Sequence, residues 1–409
     1  MLTTLIPLFD GDMTVKAYSV FSRKTNQFLN PLAMSTGVND GATTVPGLDI
    51  IQAMGLRTIG TDTEVFVPVS NVSIFSDIAG QIGSEPHDRI VILIDRTIPP
   101  VEMYANRIKE LKEQGFKFAI RKLSVTEFTD YAPILAQMDY VFLNNKKIAI
   151  DKARIYFEKL YPNAKLVAGN IESQEVFSAL KEEGGYQFYE GEFYRVPLTR
   201  GTHEISPVKT TYLSLLRVVN SDDFELTEAA DVVGRDPALT VSFLKMINRV
   251  VKTSQITSVR HAAAMLGQKE MKKWINTAVT EELYSDKPGE ITRLSLLRAR
   301  FAENLAELFG LKMQTEELFL MGLFSVLDVI LDKPMEEALE MIQVSNVIRD
   351  ALVYKKGVLA PVLEFILGYE SADWSEIDRQ MVLSGMDGDK IYEAYRESLS
   401  WYKTTIVGE

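Results

Sequence analysis

Between residues 64 and 193, six short runs rich in β-branched and aromatic residues alternate with amphipathic helical stretches, and this alternation constrains the fold more than any other feature. The runs are EVFVPVS (64–70), RIVILID (89–95), KFAIRKL (117–123), YVFLNN (140–145), KLVAGNI (165–171) and YQFYEGEF (186–193). Several are apolar on both faces, as expected of parallel strands covered by helices rather than facing water. PVEMYANRIKELKEQG (100–115) opens on a proline suited to a first helical turn and closes on Gly115, and DKARIYFEKLYP (151–162) ends at a proline. Near the start, LIPLFD and VKAYSVFSR flank Gly11-Asp12 and read as a hairpin entering the same sheet. About eight strands result, enough to close a barrel.

After the polar stretch LTRGTHEISPV (198–208) the strand signal stops and the remainder reads as helix. In DPALTVSFLKMIN, Asp236 is a capping residue and Pro237 a first-turn residue, with Leu239, Phe243, Leu244 and Ile247 on one face. A helix from Ser258 to Leu266 is stopped by Gly267, and 293–310 carries a stripe of Leu294, Leu297, Phe301, Leu305 and Leu308. The expected architecture is an α/β barrel of the TIM-like kind over 1–200, followed by an all-α bundle domain over 205–409.

A length of 409 residues fits two or three domains, and 46% apolar with 24% charged residues is an ordinary globular composition. The absence of cysteine removes disulfides, thiol nucleophiles and cysteine-held metals. A net charge of −12 supplies no field to attract nucleic acid, so no nucleic-acid partner is expected. The local basic pairs Arg121-Lys122 and Lys272-Lys273 read as solvated faces. No apolar run of ~18 residues is present, and MLTTLIPLFDGD lacks a basic leader region, so a cytoplasmic protein without membrane association is expected.

The order of barrel segments resembles the EAL domain family, modified (β/α)8 barrels that hydrolyse cyclic di-GMP with two metal ions. The helical half resembles the HDOD domain: ITSVRHAAAMLG (256–267), the preceding DPAL with Asn248, and MGLFSVLD (321–328) carry the likeness. Together they resemble the EAL–HDOD signalling proteins. Compared motif by motif, the Glu-Ala-Leu-x-Arg signature is replaced by Ser19-Val20-Phe21-Ser22-Arg23, with Ser19 at the metal-binding glutamate and only Arg23 kept. Leu93 stands at a second ligand position, and Arg121 and Lys122 stand where the family has paired aspartates. Phe142 and Asn144 replace a lysine and an aspartate, while Gly169 and Glu172 fall at two glutamate positions and Glu190 at a glutamine.

The resemblance therefore implies a degenerate site whose charge is reversed where two cations would sit, with no metal and no cofactor. HDOD domains resemble HD phosphohydrolases, whose His-Asp pair corresponds to Ser325-Val326 after Gly322. With His87, His203 and His261 the only histidines, no histidine cluster can form.

Each of these residues also has a plainer reading. His261, beside Arg260, is either a recognition residue or a satisfied interior or capping group. Asp236 is as readily a simple cap, and Asn248 a cross-link between helices through its amide. Asp95 and Glu172 could hold one cation, but are expected to pair with cations such as Arg96 and Arg121. Arg121 and Lys122 either bind an anion or fill a decayed site. Phe188, Tyr189, Phe193 and Tyr194 read as packing rather than a base-stacking platform, and Trp274 and Trp374 as core anchors.

The functional expectation is a non-enzymatic bacterial signal-transduction regulator acting on an unidentified protein partner, with a homodimer through the barrel edge left open. The alternatives are a receptor that binds cyclic di-GMP or another nucleotide without cleaving it, or an active phosphodiesterase with unusual ligands.

Overall fold

The computed structural model describes residues 2–23, 45, 47–48, 51, 56, 63–195, 207–221, 224–250, 256–284 and 289–404. His203 lies outside them, as does the side chain of Arg23. Eight strands close into a barrel in sequential order: β1 (Leu2–Phe9), β2 (Val15–Arg23), β3 (Glu64–Pro68), β4 (Ile90–Asp95), β5 (Lys117–Arg121), β6 (Tyr140–Asn144), β7 (Lys165–Ile171) and β8 (Tyr186–Gly191). β1 runs antiparallel to both neighbours and the remaining pairs are parallel. All eight strands fall on the runs expected from the sequence. The hairpin turn is held by Asp10, whose carboxylate accepts from the N–H groups of Asp12 and Thr14.

Helices α1 (Ile78–Ile82), α2 (Glu102–Glu113), α3 (Ala132–Leu135), α4 (Ile150–Leu160) and α5 (Gln174–Glu183) stand between the parallel strands. α2 buries Tyr104, Ile108 and Leu111, the helical spacing that the sequence showed. Alternate residues of the strands fill the barrel: Leu8, Ala17, Phe66, Val91, Leu93, Ala119, Tyr140, Phe142, Val167 and Phe188 form one packed cluster. Phe66 meets Phe142 edge to face at 5.4 Å and Phe188 at 6.3 Å, so the interior is a core and not a channel. At the end where the parallel strands begin, Glu64 accepts from Lys117 Nζ (2.5 Å) and from the Tyr140 hydroxyl (2.6 Å). Burial and that bond push the Tyr140 phenol well above its usual range.

The chain divides into two compact units, Met1–Val196 with Leu367–Glu409, and Pro197–Ile366. The first boundary lies close to the expected one. The second differs from the expectation of one helical domain over 205–409: Leu367–Glu409 groups with the barrel. All-helical sequence looks alike whichever core it covers, so periodicity could not separate them.

The second unit contains α6 (Pro207–Val219), α7 (Leu226–Arg235), α8 (Pro237–Val250), α9 (Val259–Leu266), α10 (Gln268–Leu283), α11 (Gly289–Leu305), α12 (Thr315–Phe324), α13 (Leu327–Leu331), α14 (Met335–Glu340) and α15 (Asn346–Tyr354). α16 (Ala360–Glu370) spans the division, and α17 (Trp374–Ser384) and α18 (Gly388–Tyr402) follow in the first unit. Gly322 sets the approach of α12 to α11, because a Cβ there would lie 2.5 Å from the backbone of Arg298 and Ala299. Trp274 and Trp374 are half-buried rather than fully interior. Each packs on one ring, Phe243 at 4.6 Å and Tyr369 at 5.4 Å.

Candidate functional site

The ends of the parallel strands bring the barrel positions singled out in the sequence to one mouth, the functional face in barrels of this class. Ser19 on β2 and Leu93 on β4 are buried in its floor. Arg121 ends β5 and Glu190 lies on β8, and their side chains meet across the interior, Arg121 Nη2 donating to Glu190 Oε1 at 3.2 Å. The guanidinium also lies over two rings, 5.1 Å from Phe21 and 5.3 Å from Phe142. Of the seven buried side-chain polar atoms without a hydrogen-bond partner among the described residues, four belong to the barrel strands: Ser19 Oγ, Arg121 Nη1, Asn170 Nδ2 and Glu190 Oε2. Each costs desolvation that a partner would offset.

Lys122 takes a different course from its neighbour. Its backbone is left-handed (φ 64°), which turns the exposed side chain to Asp95, 3.3 Å away. Burial raises the Asp95 carboxyl, but the hydroxyl and N–H of Thr97 and the Lys122 ammonium outweigh it and hold the group below its ordinary value. The two cations expected at this face do not stand alone. Each faces an acid: Asp95 reaches Lys122 from the neighbouring strand β4, and Glu190 reaches Arg121 across the barrel interior from β8.

Asp95 pairs with Lys122 and not Arg96, and Glu172 hydrogen-bonds to Lys146 rather than Arg121. Asn144 serves a turn, its Oδ1 accepting from Lys146 N–H at 3.0 Å. The carbonyl of Gly169 accepts from Asn145 N–H at 3.0 Å. Among the described residues no three His, Asp or Glu side chains gather as a metal-holding group. Phe188, Tyr189, Phe193 and Tyr194 are all buried, as packing residues should be.

In the helical unit the motif residues serve the backbone. Asp236 caps α8 by accepting from Leu239 N–H at 3.0 Å. Asn248 donates to the carbonyls of Leu244 (2.7 Å) and Ile256 (2.8 Å) and accepts from Ile256 N–H (2.7 Å), the cross-link anticipated from its amide. Ser258 caps α9, which ends at Gly267 with φ 83°. His261 is exposed in the first turn of that helix, so its interior reading is corrected: the buried face is carried by Ala262 and Ala263. Arg260 pairs with Asp231 at 2.7 Å.

Ser325 closes α12 by donating to the Gly322 carbonyl (2.7 Å) and accepts from Arg298 Nη1 (3.1 Å). Arg298 and, nearby, Asp328 are largely buried charges that sequence reading did not single out; burial raises the Asp328 carboxyl against the pull of Arg298 and Lys355. The one available signal was an arginine within an otherwise apolar helical stripe. Lys272 pairs with Glu316 at 3.1 Å and Lys273 with Glu303 at 2.5 Å, so this basic pair is neutralised. No helix among the described residues is long and apolar enough to cross a membrane.

The family model described as "HDOD domain" matches residues 205–350. The chain is 26% identical over 325 residues to a protein of Vibrio cholerae named cyclic di-GMP phosphodiesterase CdgJ, covering 77% of this chain and 74% of that one. It is 24% identical over 408 residues to the uncharacterized protein YuxH of Bacillus subtilis, covering 97% and 96%. Among solved structures, the EAL domain of Mycobacterium smegmatis DcpA aligns with 46% of this chain and 89% of its own at 16% identity, with a TM-score of 0.35.

Proposed function

We propose that this chain is a non-catalytic signal-transduction regulator that works by engaging a protein partner, with its barrel as a scaffold or docking body. The observation that carries the reading is the Arg121–Glu190 pair, packed between Phe21 and Phe142 where the EAL resemblance expects cation ligands. A two-cation hydrolytic centre needs several hard oxygen donors arranged around a pair of ions about 3.5–4 Å apart. The mouth offers a serine hydroxyl, an asparagine amide, a guanidinium and the carboxylates of Asp95, Glu172 and Glu190, each already engaged by a cation, Lys122, Lys146 and Arg121 respectively. This donor set does not fit two divalent cations.

A divalent ion about 4 Å from a guanidinium would be opposed by several kcal/mol even at an effective dielectric of about 20. The relation to a protein named as a cyclic di-GMP phosphodiesterase and the HDOD match favour a signalling role, and the altered mouth favours binding over turnover.

The reading is tested with full-length protein, cyclic di-GMP and Mg²⁺ or Mn²⁺, followed by chromatography. No linear dinucleotide is expected; its appearance in proportion to protein would refute the proposal. Titration calorimetry with cyclic di-GMP distinguishes a partner-binding regulator from a nucleotide receptor, since saturable heat at micromolar concentration belongs to the receptor.

A further inference from the structure

The barrel has one weak seam. β1 pairs with β2 along its whole length, from Leu2↔Arg23 to Phe9↔Val15, but meets β8 only at Leu8↔Glu190 and Phe9↔Tyr189. The first half of β1 therefore turns backbone groups toward a side where no strand among the described residues answers them, although Leu2, Thr3, Thr4 and Leu5 are all buried. A buried edge with open N–H and C=O groups needs another partner.

Tyr369, 366 residues away in sequence, supplies one. Its hydroxyl accepts from Thr3 N–H at 3.2 Å and donates to the Thr3 carbonyl at 3.0 Å, the pair of bonds a neighbouring strand would have made. The ring is fully buried, with Trp374 of α17 edge-on at 5.4 Å and Tyr395 of α18 at 5.1 Å, so both following helices hold it in place. The next residue reaches the other side of the seam. Glu370 lies 3.6 Å from Arg195, just beyond β8, whose Nε donates to the Tyr194 hydroxyl at 2.8 Å. Burial lowers the Arg195 guanidinium, but Tyr194, Glu370 and Glu192 outweigh it and hold the charge firmly.

We infer that Tyr369-Glu370 is a strap that closes the β1/β8 seam in place of strand pairing and thereby holds Glu190 at the depth where it meets Arg121. The strap makes the last part of the chain a structural component of the barrel. The inference is independent of whether the mouth is catalytic.

Hydrogen exchange by mass spectrometry on the full-length protein tests it, with wild type, Tyr369→Phe and Tyr369→Phe/Glu370→Gln compared. Peptides covering Leu2–Phe9 and Tyr186–Arg195 should exchange about tenfold faster in the double variant, while a peptide covering Ile90–Asp95 keeps its wild-type rate. Tyr369→Phe preserves the ring packing and should accelerate the Leu2–Phe9 peptide alone, which keeps the test available if the double variant does not fold. Unchanged exchange over Leu2–Phe9 would overturn the inference. So would equal acceleration of Ile90–Asp95, since that marks loss of general core stability rather than an opened seam.

Discussion

Arg121 and Glu190, 69 residues apart on β5 and β8, meet at 3.2 Å inside the barrel mouth with two aromatic rings against the guanidinium. A buried pair of this kind contributes little net stability over a well-packed apolar pair, but leaving one partner alone is costly. Arg121→Ala and Glu190→Ala should each lower stability by about 3–5 kcal/mol, while Arg121→Met/Glu190→Leu should stay much closer to wild type. Urea unfolding followed by far-ultraviolet circular dichroism checks this, and additive losses in the double variant would contradict the pairing.

Gly322 permits the backbone contact between α11 and α12. Gly322→Ala forces the helices apart and should destabilise the helical unit by about 1–3 kcal/mol, despite alanine's better helix propensity. Thermal unfolding of the two proteins gives the sign directly.

Asn248 makes three hydrogen bonds that tie α8 to the chain entering α9. Asn248→Ala strands partly buried backbone groups and should cost about 2 kcal/mol. Asn248→Asp, which keeps the acceptor but loses the donors, should not restore stability at pH 7. Denaturant midpoints for both variants decide the matter.

Glu281 has a carboxyl pushed up to about 7, first by burial and then by Glu282. The unfolded carboxyl ionises near 4.5, so no penalty exists below that pH, and stability falls as pH rises toward 7. Glu281→Gln should therefore stabilise the protein by about 1–3 kcal/mol at pH 8 and change little at pH 4. Melting curves at the two pH values test it, and an equal shift at both would count against the burial argument.

The strand runs were legible in sequence because each carries its own local signal. Runs apolar on both faces marked several of the parallel strands, and Gly11-Asp12 marked the hairpin. Caps were equally legible: Asp236, Ser258 and Gly267 act within a few residues of themselves. Resemblance singled out Ser19, Leu93 and Arg121 as positions, but their surroundings could not be read. Nothing near Glu190 in sequence indicates Arg121, and the turn of Lys122 away from Arg121 depends on a single left-handed residue. The exposure of His261 was not legible because an alanine-rich helix shows which residues are apolar without showing which face is covered.

The sequence by itself determined the eight strands, the helices that connect the parallel ones and the helical character of the described residues from 207 onward, because hydrophobic period and capping chemistry act over one or two turns. Tertiary structure alone decided which acid neutralises which cation at the mouth. It also decided that Tyr369 and Glu370 belong to the barrel, since closing β1 against β8 brings together groups whose separation along the chain leaves no local trace.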